Sequence, residues 1–80
     1  MLSAPHSIDI TREVCPMTYV RTKLKLESIP DGDTLEVLLK GDEPVRSVPR
    51  SAAEEGHEVL SLLEAGGGVF RLLLRKKGRT

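Results

Sequence analysis

The chain is poor in the residues that usually carry chemistry. Its 80 residues hold one cysteine, no tryptophan, one tyrosine and one phenylalanine. A single cysteine excludes an intramolecular disulfide, and in a reducing compartment the thiol stays free. One Cys and two His with no short ligand spacing argue against a metal site, and no metal or other cofactor is expected. No apolar run approaches the ~18–20 residues of a membrane span. The first residues, MLSAPHS, lack the basic flank and apolar centre of a secretory signal. The expectation is a cytoplasmic, monomeric protein that needs no membrane.

Net charge is zero, from twelve bases and twelve acids. General nucleic-acid binders usually carry a basic excess, and stacking on bases needs more than Tyr19 and Phe70. The charge is nevertheless uneven. Residues 27–64 hold ten acids and three bases, whereas residues 71–80 hold five bases and no acid. The basic end reads as a solvated tail, or as a rim that helps dock an acidic partner. A chain this short buries a modest core and forms one domain, expected over residues 1–80 with its ordered part at about 7–77.

What is present is a clear alternation of strands and helices. Ile8 and Ile10 alternate with polar neighbours, as in a short half-buried strand. A first helix is expected from Pro16 to about Ile29, ended by Pro30-Asp31-Gly32-Asp33. Along it Tyr19, Thr22, Leu26 and Ile29 share one face, with Cys15 at the head of that stripe. Met17, Val20 and Leu24 fall on roughly the opposite face, a candidate partner surface together with Arg21. Thr34–Lys40 reads as a second strand with Leu35, Val37 and Leu39 on one side. Gly41-Asp42-Glu43-Pro44 is expected as a turn. Pro49 is expected to open a short second helix, with Ser51-Ala52-Ala53-Glu54 resembling a capping box and Gly56 ending it. His57–Glu64 and Val69–Lys76 read as a hairpin across Gly66-Gly67-Gly68. These glycines lack the Lys-Ser/Thr of a phosphate-binding loop. The order is βαβαββ. The first βαβ unit should be a parallel crossover. Two helices on one face of a four-stranded mixed sheet give an α/β two-layer sandwich.

The chemistry centres on Cys15-Pro16. Proline is favoured at the first helical position, where its missing N–H costs nothing. Cys15 then stands at the N-cap, facing free N–H groups and the positive end of the helix dipole. A free thiol of pKa near 8.5 is only about 3% thiolate at pH 7. A helix N-terminus lowers that pKa by at most about one unit, which raises the thiolate to tens of per cent. Arg12 folded toward the sulfur favours the thiolate, and Glu13 opposes it. With Cys15 as N-cap, Thr18 is N3, whose backbone N–H an N-cap side chain commonly accepts. His57 invites a Cys–His pairing but reads as an ordinary, partly exposed histidine. Tyr19 reads as core or rim.

The order of these features resembles the TusA/SirA-like family of small sulfur carriers, from about Ile8 to Lys77. The resemblance rests on Cys15-Pro16 after a strand and loop, on Pro30-Asp31-Gly32-Asp33, and on the strand TLEVLLK. It continues through Gly41-Asp42-Glu43-Pro44, Val48-Pro49 and Gly56-His57-Glu58-Val59. It implies a βαβαββ sandwich whose motif cysteine, Cys15 here, accepts sulfane sulfur as a persulfide. It implies a sulfur donor such as a cysteine desulfurase or rhodanese-like protein, and an acceptor protein. The family's usual motif is Cys-Pro-x-Pro; this chain reads Cys15-Pro16-Met17-Thr18. A relay of this kind is a sulfurtransferase-type carrier rather than a stand-alone enzyme. The contrasting expectation is a non-catalytic interaction or regulatory module that uses the first helix and the basic last strand.

Overall fold

A computed structural model of the chain describes residues 6–12 and 17–77, Met17 by its backbone. It contains β1 (His6–Asp9), α1 (Met17–Ser28), β2 (Thr34–Lys40), α2 (Asp42–Glu54), β3 (Glu58–Gly66) and β4 (Val69–Arg75). The sheet order is β1-β2-β4-β3. β1 runs parallel to β2, with Ile8 beside Val37, and the other pairings are antiparallel. This is the expected βαβαββ arrangement. Leu35 sits between two neighbours, His6 on β1 and Leu74 on β4.

One face of the sheet makes the core. The period of two puts Leu35, Val37 and Leu39 on the same side of β2, and the register sets them opposite Leu74, Leu72 and Phe70. All of these but the half-buried Phe70 are fully buried. Leu26 from α1, Ile29 just past its end, and Val48 and Ala52 from α2 complete the cluster with Ile10. Both helices therefore lie on that face. Two helices do not cover four strands, and the uncovered part falls on the edge strand β3. Val59 and Leu62 lie in register with the core residues Leu74 and Leu72 yet stay more than a third exposed.

The stripe expected on α1 is observed, with Thr22, Leu26 and Ile29 buried and Tyr19 half-buried. Thr18 joins it. Val20 and Leu24 are 40% and 59% exposed, so these two members of the second stripe face solvent. The helix ends in the expected turn, where Gly32 takes φ +87° and the Lys76 ammonium donates to the Ile29 carbonyl at 2.9 Å.

The second helix differs from expectation. It starts at Asp42, not at Pro49, and Gly41–Pro44 is its beginning rather than a separate turn. Pro44 sits in the first turn, where the missing N–H has no intrahelical partner to lose. Asp42 and Glu43 complement the positive end of the dipole. Pro49 lies inside and removes one backbone bond. The helix persists around it because Val45, Val48 and Ala52, at helical spacing, pack on the sheet. Ser51 is therefore no N-cap; its carbonyl accepts the Glu55 N–H near the helix end. Gly56 ends α2 as expected. At φ +94° it lets its own N–H reach Ala53 and the His57 N–H reach Ala52, both at 3.0 Å. β3 starts one residue after His57 and runs on to Gly66, and Gly67 and Gly68 both take positive φ in the hairpin turn.

Candidate functional site

Cys15, Pro16 and Glu13 lie outside the described residues, as does the side chain of Met17. The structure fixes what stands on either side of them. The chain leaves the sheet after Ile10, whose N–H donates to the Leu38 carbonyl at 3.1 Å. Asp9 then closes a turn by accepting from the Thr11 N–H at 2.9 Å and the Thr11 hydroxyl at 2.7 Å. Those two bonds, with a smaller contribution from the Arg12 charge, hold the Asp9 carboxyl below its ordinary value. Arg12 is exposed, and its charge acts on Asp9.

On the far side stands the first turn of α1. It carries no acidic residue, whereas the first turn of α2 carries Asp42 and Glu43. The positive pole of α2 is met by its own carboxylates; that of α1 has no such partner within its turn. An anion just ahead of Met17 is thus favoured by the helix, and the sequence places Cys15 there.

Thr18 and Thr22 stand one turn apart on the buried face, 1% and 0% exposed. The Thr22 hydroxyl donates to the Thr18 carbonyl at 2.9 Å. The Thr18 hydroxyl makes no hydrogen bond, the only buried side-chain polar atom in that state among the described residues. Tyr19 bridges the two helices: its phenol donates to the Ser51 carbonyl at 3.4 Å. Sequence reading placed Tyr19 at the core or rim and missed this bridge, whose partner lies 32 residues away. Val20, Arg21 and Leu24 are exposed on the outer side of the helix.

His57 is not part of this group. It precedes β3 at the end of the sheet where Glu58 pairs with Arg75, and its Nδ1 accepts from the Lys77 N–H at 3.4 Å. The segment that carries Cys15 leaves the sheet at the opposite end, beside Leu38. The basic last strand is largely neutralised. Arg71 pairs with Glu36 at 2.7 Å, Arg75 with Glu58 at 3.3 Å and Lys76 with Asp31 at 3.7 Å. It therefore offers less free positive charge than its sequence suggests. Among the described residues no helix is long and apolar enough to cross a membrane. Among the described residues no three His, Cys, Asp or Glu side chains gather in a way that could hold a metal ion.

Known proteins share both the sequence and this arrangement. Residues 6–76 match the family model described as sulfurtransferase TusA. A protein of Archaeoglobus fulgidus is 45% identical over 76 residues, 95% of this chain and 86% of its own length. One from Thermotoga maritima is 31% identical over 71 residues, 89% of this chain and 90% of its own. Both bear the name "putative sulfur carrier protein". The crystal structure of a SirA-like protein from Desulfitobacterium hafniense superposes with a TM-score of 0.77 at 26% identity, covering 90% of this chain and 97% of the other. Sequence, strand order and helix placement agree over nearly the full length: the chain belongs to the TusA family.

Proposed function

We propose that this protein is a sulfur carrier that holds sulfane sulfur as a persulfide on Cys15 and passes it to an acceptor protein. The observation that carries the reading is the Cys15-Pro16 pair directly ahead of α1, in a chain matched by the TusA family model over residues 6–76. The α1 first turn, free of acidic side chains, supports a thiolate there. In the transfer the Cys15 thiolate attacks the outer sulfur of a donor persulfide. A new S–S bond forms on Cys15, the donor S–S bond breaks, and the donor leaves as a thiolate with the bonding pair. The sulfur keeps its oxidation level, so no external oxidant or reductant enters. Transfer to the acceptor is the same exchange with Cys15 as the leaving thiolate.

The donor is a cysteine desulfurase or a rhodanese-like protein, and no cofactor is required of the carrier itself. We place the protein in the cytoplasm as a monomer. Pro16 and Thr18 support the helix end, Arg12 and Glu13 tune its charge, and Val20, Arg21 and Leu24 form the docking surface beside Met17. The test is intact mass after incubation with a cysteine desulfurase and cysteine. The wild-type chain should gain one sulfur atom and Cys15→Ser should gain none. A wild-type chain that gains no sulfur sinks the carrier reading.

The exposure of Val20 and Leu24 also favours a second reading, a docking module that needs no thiol. Partner binding that survives Cys15→Ser, together with no sulfur uptake by the wild type, would establish it.

A further inference from the structure

We propose that the free edge of β3 is a strand-addition site, where Ser61–Glu64 takes an extended segment of a partner protein as a fifth strand. The inference goes beyond the carrier reading and uses none of its residues. β3 ends the sheet order β1-β2-β4-β3. No other described strand meets its outer side, so the backbone N–H and C=O groups that point away from β4 lack a strand partner. The two edges of the sheet differ. β1 spans four residues, His6–Asp9, and exposes Ser7 and Asp9. A short edge carrying a charge resists pairing with another chain. β3 spans nine residues, and its stretch Val59–Leu63 holds no charge, no proline and no glycine. Bulges at Val59/Ser61 and Glu64/Gly66 interrupt its pairing with β4. They leave Ser61–Glu64 as the regular run, set against Leu73, Leu72, Arg71 and Phe70. An incoming strand is thereby restricted to a short segment in a defined register.

Exposure on both faces of β3 decides the shape of the occupant. Val59 and Leu62 lie on the core side and are more than a third exposed. Leu63, in register with Arg71, lies on the other side and is more exposed still. A helix laid over the core side would cover Val59 and Leu62 and miss Leu63. A strand beside β3 reaches all three, because it brings one row of side chains to each face. Charge then decides the chemistry. Glu58 is held by Arg75 at 3.3 Å, whereas Glu64 has no ion pair among the described residues. A second copy of β3 fits badly. Antiparallel pairing centred on Ser61 sets Glu58 of each chain opposite Glu64 of the other, and like charges directly opposite are destabilising. The occupant that satisfies each position is an antiparallel segment of another protein. It carries Lys or Arg opposite Glu64, apolar residues opposite Leu63 and Leu62, and Ser or Thr opposite Ser61.

The experiment titrates two capped synthetic peptides into the isotope-labelled full chain and follows it by nuclear magnetic resonance. One peptide is Ser-Lys-Val-Val-Thr-Ser-Lys; the other has Glu in place of its first Lys. The first should shift the backbone amides of Ser61–Glu64 and the methyls of both Leu62 and Leu63, saturably, and slow amide exchange along that run. The second should bind about tenfold more weakly. Glu64→Lys should reverse the order of the two peptides, and Glu64→Gln should bring them closer together, a milder comparison should Glu64→Lys not fold. Three results overturn the proposal. The first is no saturable shift on β3, or equal affinity of the two peptides for the wild-type chain. The second is a shift at Val59 and Leu62 without one at Leu63, which assigns the site to a ligand lying on the core face. The third is a concentration-dependent shift on β3 without peptide, with a doubled mass in sedimentation, which assigns the edge to a second copy of the chain.

Discussion

The phenol of Tyr19 on α1 donates a hydrogen bond to the backbone carbonyl of Ser51 on α2, joining the two helices one turn beyond Cys15-Pro16. Burial, followed by the Glu55 carboxylate and then Glu27 and Glu54, pushes the phenol from its ordinary 10.0 up to about 12. The chain has no other tyrosine and no tryptophan, so ultraviolet absorbance titrates this one group. We expect a midpoint well above 10. The sign for stability follows. Below pH 10 the phenol is neutral in both states. Between about 10 and 12 the unfolded chain ionises while the folded one does not, so stability falls across that window. A normal midpoint would show that the phenol is neither buried nor held beside the Glu55 carboxylate in solution.

Replacing Thr18 by proline removes a backbone donor as well as a hydroxyl. Proline is acceptable in a first helical turn, as Pro44 shows in α2. The thiol pKa of Thr18→Pro should therefore rise above that of wild type by about as much as a helix N-terminus contributes, up to roughly one unit. An alkylation profile with an equal or lower value would remove Thr18 as a backbone donor. A lower pKa need not speed transfer, because nucleophilicity falls with it.

Val20 and Leu24 face solvent, so charge placed there should leave the fold intact. Val20→Glu and Leu24→Glu should each change stability by only about 0.5 kcal/mol. Sulfur uptake from a protein donor should fall roughly tenfold or more, as for a hot-spot contact, while uptake from inorganic polysulfide stays unchanged. Equal uptake from both sources in these variants would place the docking surface elsewhere.

The core should respond very differently from the edge. Leu72 is fully buried against Val37, and Leu72→Ala should cost roughly 2–5 kcal/mol. Leu63, 63% exposed on β3, should tolerate Leu63→Ser within about 0.5 kcal/mol. Thermal unfolding of the two variants checks both values, and similar melting temperatures would contradict the assigned faces of the sheet.

The fold was largely legible because its signals are local. Period-two alternation in TLEVLLK and in Val69–Arg75, and the apolar spacing of α1, gave the elements and their inward faces. The start of α2 was not legible. Reading Pro49 as an opener follows local proline rules, and only the contacts of Val45, Val48 and Ala52 with the sheet overrule them. The candidate site has a motif in the sequence, Cys15-Pro16, which lies outside the described residues, and the arrangement beside it has none. Neither the bridge from Tyr19 to Ser51 nor the isolation of the Thr18 hydroxyl has a signature in residue order, since each depends on what packs nearby.

The flanking of Leu35 by His6 and Leu74 brings the two ends of the described fold to neighbours of a single strand. Two interstrand spacings, about 10 Å, separate them. A short linker could thus close the chain into a ring, to be reopened at the Gly67-Gly68 turn without disturbing a single core residue. It also means that the described fold begins, at His6, and ends, past Arg75, at the pole opposite the one where the chain leaves the sheet after Ile10. A linker joining His6 to Lys77 would therefore run along one pole of the sheet and leave the turn that follows Ile10 untouched.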